Sequence, residues 1–114
     1  MRVIVPGGWN KDEIWKFMYA VIFRAKLAHG DDAYFQTARR LRELALGKYG
    51  CLEFVSMMEG DEEIAISYWE NETQIMNWKA DPEHLKAQEK GRKRWYESYS
   101  VEVCIVERSY PGAG

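Results

Sequence analysis

Cysteine, net charge and long apolar runs are all in short supply in this chain, and each shortage excludes something. The 114 residues hold two cysteines, Cys51 and Cys104. They form no CxxC pair and no Cys/His cluster, so neither a disulfide framework nor a zinc site is expected. Each lies in an apolar run and reads as a small buried hydrophobe in a reducing compartment. The formal net charge of −2 gives no global pull toward nucleic acid or an acidic membrane surface. No apolar run is long enough to span a bilayer, and Met1-Arg2-Val3 leads into no signal-peptide core, so a cytoplasmic protein is expected. Missing too are GxGxxG, a phosphate-binding P-loop, HExxH, GxSxG and any His/carboxylate cluster with metal-ligand spacing.

Aromatic residues, by contrast, are abundant. Five Trp, seven Tyr and four Phe make up 14% of the sequence, within a 46% hydrophobic and 30% charged composition otherwise ordinary for a globular protein. A chain of this length holds one domain and buries roughly 65% of its unfolded surface. Its rings build either a dense core or an aromatic-lined cavity.

Residues 1–16 read as an N-terminal arm, broken at Pro6-Gly7-Gly8 yet carrying Val3, Ile4, Val5, Trp9, Ile14 and Trp15, too apolar for a solvated tail. From Phe17 a strand alternates with apolar residues on both faces until Arg24 and Lys26. His29-Gly30-Asp31-Asp32 stops it and caps a helix whose inner stripe is Tyr34, Ala38, Leu41 and Ala45, with Leu44 beside it and Gly47 as its C-terminal cap. Strands over Cys51–Met58 and Glu62–Trp69 flank the hairpin Glu59-Gly60-Asp61. Asn71 with Gln74 opens a short helix carrying Ile75 and Trp78. Asp81-Pro82 starts a third helix expected to reach Tyr96, and Tyr99–Arg108 alternates as a closing strand before a frayed tail, 111–114. The order β-α-β-β-α-α-β predicts an α+β, ferredoxin-like fold with a four-stranded antiparallel sheet backed by helices. The sheet's bare face then needs cover, and a second copy of the chain, making a homodimer, is the simplest source.

Most of the candidate chemistry lies on the third helix. His84, Ala87, Gln88, Gly91 and Trp95 share one face. An imidazole and an amide beside two very small residues suggest a ligand pocket, although a lone inward histidine can equally be structural. In the first helical turn the macrodipole favours neutral imidazole, the state a general base needs. Trp69, Trp78, Trp95, Tyr68, Tyr96 and Tyr99 are either core or the edge of a cavity that would orient an aromatic substrate. His29 reads as a solvated turn residue. The basic run from Lys86 to Arg94 reads as a solvated helix face rather than a nucleic-acid patch.

The series Tyr68-Trp69-Glu70, Asn77-Trp78-Lys79, Pro82-Glu83-His84, Ala87-Gln88, Gly91 and Trp95-Tyr96, ending at Val106-Glu107-Arg108, resembles the antibiotic biosynthesis monooxygenase (ABM) family over residues 17–110. The resemblance implies a dimeric α+β barrel. It also implies one of several activities. Some members oxidise polyketide phenols to quinones with dioxygen and no metal or flavin. Others bind and degrade haem through a strand asparagine, a tryptophan and a histidine ten residues after it. Here Trp78 matches the tryptophan, but Gln88 stands at the histidine position and Phe23 at about the asparagine position. Cofactor-free oxygenation of a small phenol or quinol is therefore the leading expectation. His84 would be the catalytic base, and Trp69, Trp78, Gln88, Trp95 and Tyr96 would contact the substrate. No cofactor or metal is expected. The alternatives are a non-catalytic dimer that binds a small aromatic or hydrophobic molecule, and a haem-binding protein in which His84 ligates iron from elsewhere on the helix.

Overall fold

The protein is described from a computed structural model covering residues 18–112. The expected arm, the strand start at Phe17 and the last two residues of the tail lie outside the described residues. The elements are β1 (Tyr19–Leu27), α1 (Asp32–Gly47), β2 (Glu53–Glu59), β3 (Glu62–Trp69), α2 (Glu72–Lys79), α3 (Pro82–Lys90), a π turn (Gly91–Trp95) and β4 (Tyr96–Ile105). The β-α-β-β-α-α-β order is the expected one. All strand pairs are antiparallel, in the spatial order β2-β3-β1-β4, so the fold is ferredoxin-like α+β.

Local chemistry explains where the helices begin. The Asp31 carboxylate accepts from the Tyr34 amide at 2.9 Å, Asn71 from the Gln74 amide at 2.9 Å and Asp81 from the Glu83 amide at 2.8 Å. Each satisfies an amide that the helix itself leaves free. Two helix ends differ from expectation. Gly47 is the last residue of α1, with Lys48 as its C-cap, and the left-handed glycine is Gly50 at φ +83°. The third helix stops at Lys90, gives way to the π turn, and lets β4 begin at Tyr96 instead of Tyr99. A Cβ at Gly91 would collide with the Tyr96 ring. The glycine thus lets that ring fold back against the turn, and the wider winding ends the helical face early.

Strand alternation divides the sheet into two faces. Tyr19, Val21, Phe23, Ala25 and Leu27 point to the helices, as do their partners Trp69, Ser67, Ala65 and Glu63 on β3. Two core clusters fill that side. One joins Val21, Trp69, Leu44, Ala45, Cys51, Ile75 and Trp78; the other joins Ala25, Leu27, Tyr34 and Trp95. Trp69 and Trp95 are the largest fully buried side chains, and each buried indole contributes roughly 5 kcal/mol of transfer free energy. The other face carries Ala20, Ile22, Ile64, Ile66, Tyr68, Val55 and Met57, mostly apolar and with no helix over it among the described residues. Cys51 is buried, Cys104 half-buried, and neither is disulfide-bonded.

Candidate functional site

His84 owes its position to four contacts made around the first turn of α3. Asp81 caps the helix and accepts a 2.5 Å hydrogen bond from the Tyr49 hydroxyl. This contact holds the Asp81 carboxyl below its usual range, with help from the backbone amides of Glu83 and His84. Glu83 receives both ends of the Arg40 guanidinium, at 3.1 and 3.2 Å, tying α3 to α1. The fourth contact is the histidine's own. Its ring stands edge-on to Trp78, centroids 4.5 Å apart, and Trp78 lies 5.3 Å from Trp69 and 6.1 Å from Phe54. The imidazole therefore rests on the top of the first core cluster.

This environment selects one protonation state. The His84 Nδ1 is buried and has no hydrogen-bond partner among the described residues. Burial pushes the imidazole below its ordinary value, and Lys79 pushes the same way. His84 is thus a neutral base, half-buried, with a lone acceptor or donor nitrogen turned inward.

The other expected site residues separate into two groups. Trp69 and Trp78 belong to the core beneath His84, and both indole N–H groups are occupied: Trp69 donates to the Ser67 hydroxyl at 2.8 Å and Trp78 to the Leu41 carbonyl at 3.0 Å. Trp69 is fully buried, so only Trp78, 8% exposed, could present any ring edge to a ligand, and neither indole has a free N–H to offer. Gln88 is half-buried one turn after His84. Trp95 and Tyr96 lie in the second cluster instead, with Trp95 edge-on to Tyr34 at 5.2 Å and its buried Nε1 without an acceptor among the described residues. The room expected beside Gly91 is taken by the Tyr96 ring.

A different opening lies at the β2–β3 hairpin end of the sheet. This cleft of about 590 Å³ takes a short run from every strand, including Arg24, Lys26, Met57, Glu62, Ile64 and Ser100, and also touches Glu63 and Tyr99. None of the six expected site residues lines it. The sequence reading passed over Glu63 because a charged pair beside a hairpin normally faces water; only the docking of α1 hides it. Among the described residues, no cluster of three or more His, Cys, Asp or Glu side chains could hold a metal ion, and no helix is long and apolar enough to cross a membrane.

Residues 18–90 match the family described as antibiotic biosynthesis monooxygenase. This chain belongs to the antibiotic biosynthesis monooxygenase family. The uncharacterised protein YqjZ of Bacillus subtilis is 43% identical over 91 residues, covering 79% of this chain and 80% of YqjZ. The jasmonate monooxygenase ABM of Pyricularia oryzae is 30% identical over 96 residues, 81% of this chain but only 45% of the fungal enzyme. Among solved structures, SnoaB from Streptomyces nogalater, a cofactor-independent oxygenase, superposes with a TM-score of 0.70 at 11% identity, covering 83% of this chain and 98% of SnoaB. At that identity the likeness is one of fold. The ABM match spans β1 through α3 and so includes the whole setting of His84.

Proposed function

We propose that this ABM protein is a cofactor-independent monooxygenase that oxidises a small phenol or quinol with dioxygen, His84 taking the substrate proton. The observation that carries the reading is a half-buried imidazole at the start of α3, edge-on to the Trp78 indole, whose buried Nδ1 has no partner among the described residues; burial lowers its pKa and so favours the neutral ring. A general base must be unprotonated at working pH and have a free lone pair. A phenol deprotonated there becomes an electron-rich phenolate able to pass an electron to dioxygen. For conversion of a phenol to a quinone the balance closes unaided: phenol plus dioxygen gives quinone plus water, so no external reductant is required. The naming of SnoaB as a cofactor-independent oxygenase and of the fungal relative as a jasmonate monooxygenase supports oxygenase chemistry as the reaction type.

The substrate would lie between the inner face of α3 and the helix side of β4. Alternation puts Tyr99, Val101, Val103 and Ile105 on that side, and they stay 37–65% exposed, an apolar wall that no helix among the described residues covers. Gln88 would hydrogen-bond the developing oxyanion, while Trp78, backed by the fully buried Trp69, would serve as a ring platform. Trp95 and Tyr96 would close the far end. The apolar opposite face of the sheet would be covered by a second copy, giving a homodimer.

Oxygen uptake on a panel of phenols, beginning with 1-naphthol, tests the assignment. His84→Ala is expected to lower turnover by about 10²–10⁴-fold. Full uptake by that variant would end the role of His84, and the absence of uptake by the native protein on any phenol would favour a binding function instead.

A further inference from the structure

On its two central strands, the sheet face turned away from the helices is apolar at one end and charged at the other. On β3 the run Tyr68, Ile66 and Ile64 ends in Glu62, and on neighbouring β2 the exposed Met57 is followed by Glu59. On β1 Ala20 and Ile22 are followed by Arg24 and Lys26, and β4 sets Ser100 and Ser98 beside those two cations. At the hairpin end the negative charges therefore lie on the β2–β3 half of the sheet and the positive ones on the β1–β4 half. The chain itself leaves most of them unanswered. Lys26 stands directly across from Glu62 yet pairs with Glu97, 3.5 Å away. Arg24, Glu59 and Glu62 form no ion pair among the described residues.

Two copies of this face can stack about a two-fold axis that runs either along the strands or across them. An axis along the strands places β1 over β3 of the second chain and β4 over its β2, level by level. Lys26 then meets Glu62 of the partner subunit, and Ile22 meets Ile66 of the partner subunit. Small side chains meet large ones: Ala20 faces Tyr68 of the partner subunit, and Ser100 faces Met57 of the partner subunit. An axis across the strands does the reverse. It sets Arg24 on Ile22 of the partner subunit, Lys26 on Ala20 of the partner subunit and Glu59 against Glu53 of the partner subunit, so that cations lie on apolar groups and like charges meet. Aligned sheets cross at roughly 30°, which displaces the outer strands most, so the matches between β1 and β3 count for more. The remaining carboxylates, Glu53 and Glu102, lie on those outer strands, at the rim, where interfaces tolerate charge. Four strands about 4.8 Å apart and about seven residues long give each chain roughly 450 Å² of flat area. Two such areas are on the order of the 1,000 Å² that a specific interface needs.

We propose that two chains stack these faces about an axis running along the strands, so that the hairpin ends meet and Lys26 lies over Glu62 of the partner subunit. This register rests on the homodimer reading above and adds to it which ends of the two sheets come together. It is independent of the oxygenase chemistry. It also gives the hairpin-end cleft an occupant. Arg24, Lys26, Ser98 and Ser100 form its β1–β4 side, and the two serines leave space there. Met57, at 74% the most exposed apolar side chain of the face, is the group that the partner subunit brings to that space.

Sedimentation equilibrium of the full chain and two charge variants at low salt tests the register. The native chain should be a dimer. Arg24→Glu/Lys26→Glu makes the hairpin end wholly acidic, and Glu59→Lys/Glu62→Lys makes it wholly basic. Each variant alone should dimerise at least about 10-fold more weakly, because like charges then face each other across the stack. An equimolar mixture of the two should recover the native affinity to within a few-fold. With the axis across the strands the two hairpin ends would lie about 20 Å apart, beyond the Debye length, and the variants would dimerise as the native chain does. Circular dichroism verifies that both variants are folded. A native dimer whose variants associate undiminished, or whose mixture fails to recover, overturns the register and leaves the homodimer standing. A native monomer overturns both, and leaves the face to residues 1–17 or to a different protein.

Discussion

The two ends of the helix-side core use the same materials and reach opposite results. At one end Trp69 and Trp78 support a half-buried imidazole; at the other Tyr34, Trp95 and Tyr96 surround the buried Glu63 carboxyl group. Burial is the largest influence on both titrating groups, and it disfavours whichever form is charged. For histidine that means a free base, and for glutamate a held acid. One physical cause therefore makes a proton acceptor at one end of a sheet and a proton donor at the other, and only the residue type decides which.

The largest expected effect tests whether the two indoles carry equal weight as core. Trp69→Ala and Trp95→Ala should each destabilise the fold by about 3–5 kcal/mol in urea unfolding. A finer version separates them. Among the described residues the Trp69 N–H has a hydrogen-bond partner and the Trp95 N–H has none, so Trp69→Phe should cost about 1 kcal/mol more than Trp95→Phe. Equal costs would mean that Trp95 has an acceptor in solution.

Acidity sharpens the contrast. His84 titrates below its ordinary 6.5 when folded, so as pH falls through that value the unfolded chain binds a proton the folded chain does not, and stability drops. Glu63 titrates above its ordinary 4.5 when folded, so as pH rises past that value the unfolded chain releases a proton the folded chain keeps, and stability also drops. His84→Gln should flatten the first slope and Glu63→Gln the second, measured as urea midpoints across pH. A common slope lost in both variants would show the two ends to be coupled. The smallest effect is expected at the Lys93–Glu89 pair, 2.9 Å long but solvent-exposed: Lys93→Ala should leave both the melting temperature and the pH profile unchanged.

Much of the fold was legible because it rests on short-range chemistry. The β3 limits, the Gly60 hairpin and the Asp31, Asn71 and Asp81 caps all follow from residues within a few positions of each other. The π turn was not, because the spacing of Gly91 and Trp95 fits an α-helix equally well and only the Tyr96 ring against Gly91 reveals the change. For His84, the first helical turn suggests a neutral ring, but the larger cause is burial, which only the packing reveals. That Trp69 and Trp78 have both N–H groups engaged, and that Glu63 is sealed under Tyr34, are tertiary facts with no local signature.

The bond from the Trp78 indole to the Leu41 carbonyl has a bearing on how such a protein could diversify. That indole fastens α2 to α1 while also supporting the imidazole, so a change there would loosen the scaffold together with any pocket. Val101, Val103 and Ile105 bear no comparable burden. Drift in substrate preference among relatives of this chain should therefore be written in β4 and along α3, with the indole platform left untouched.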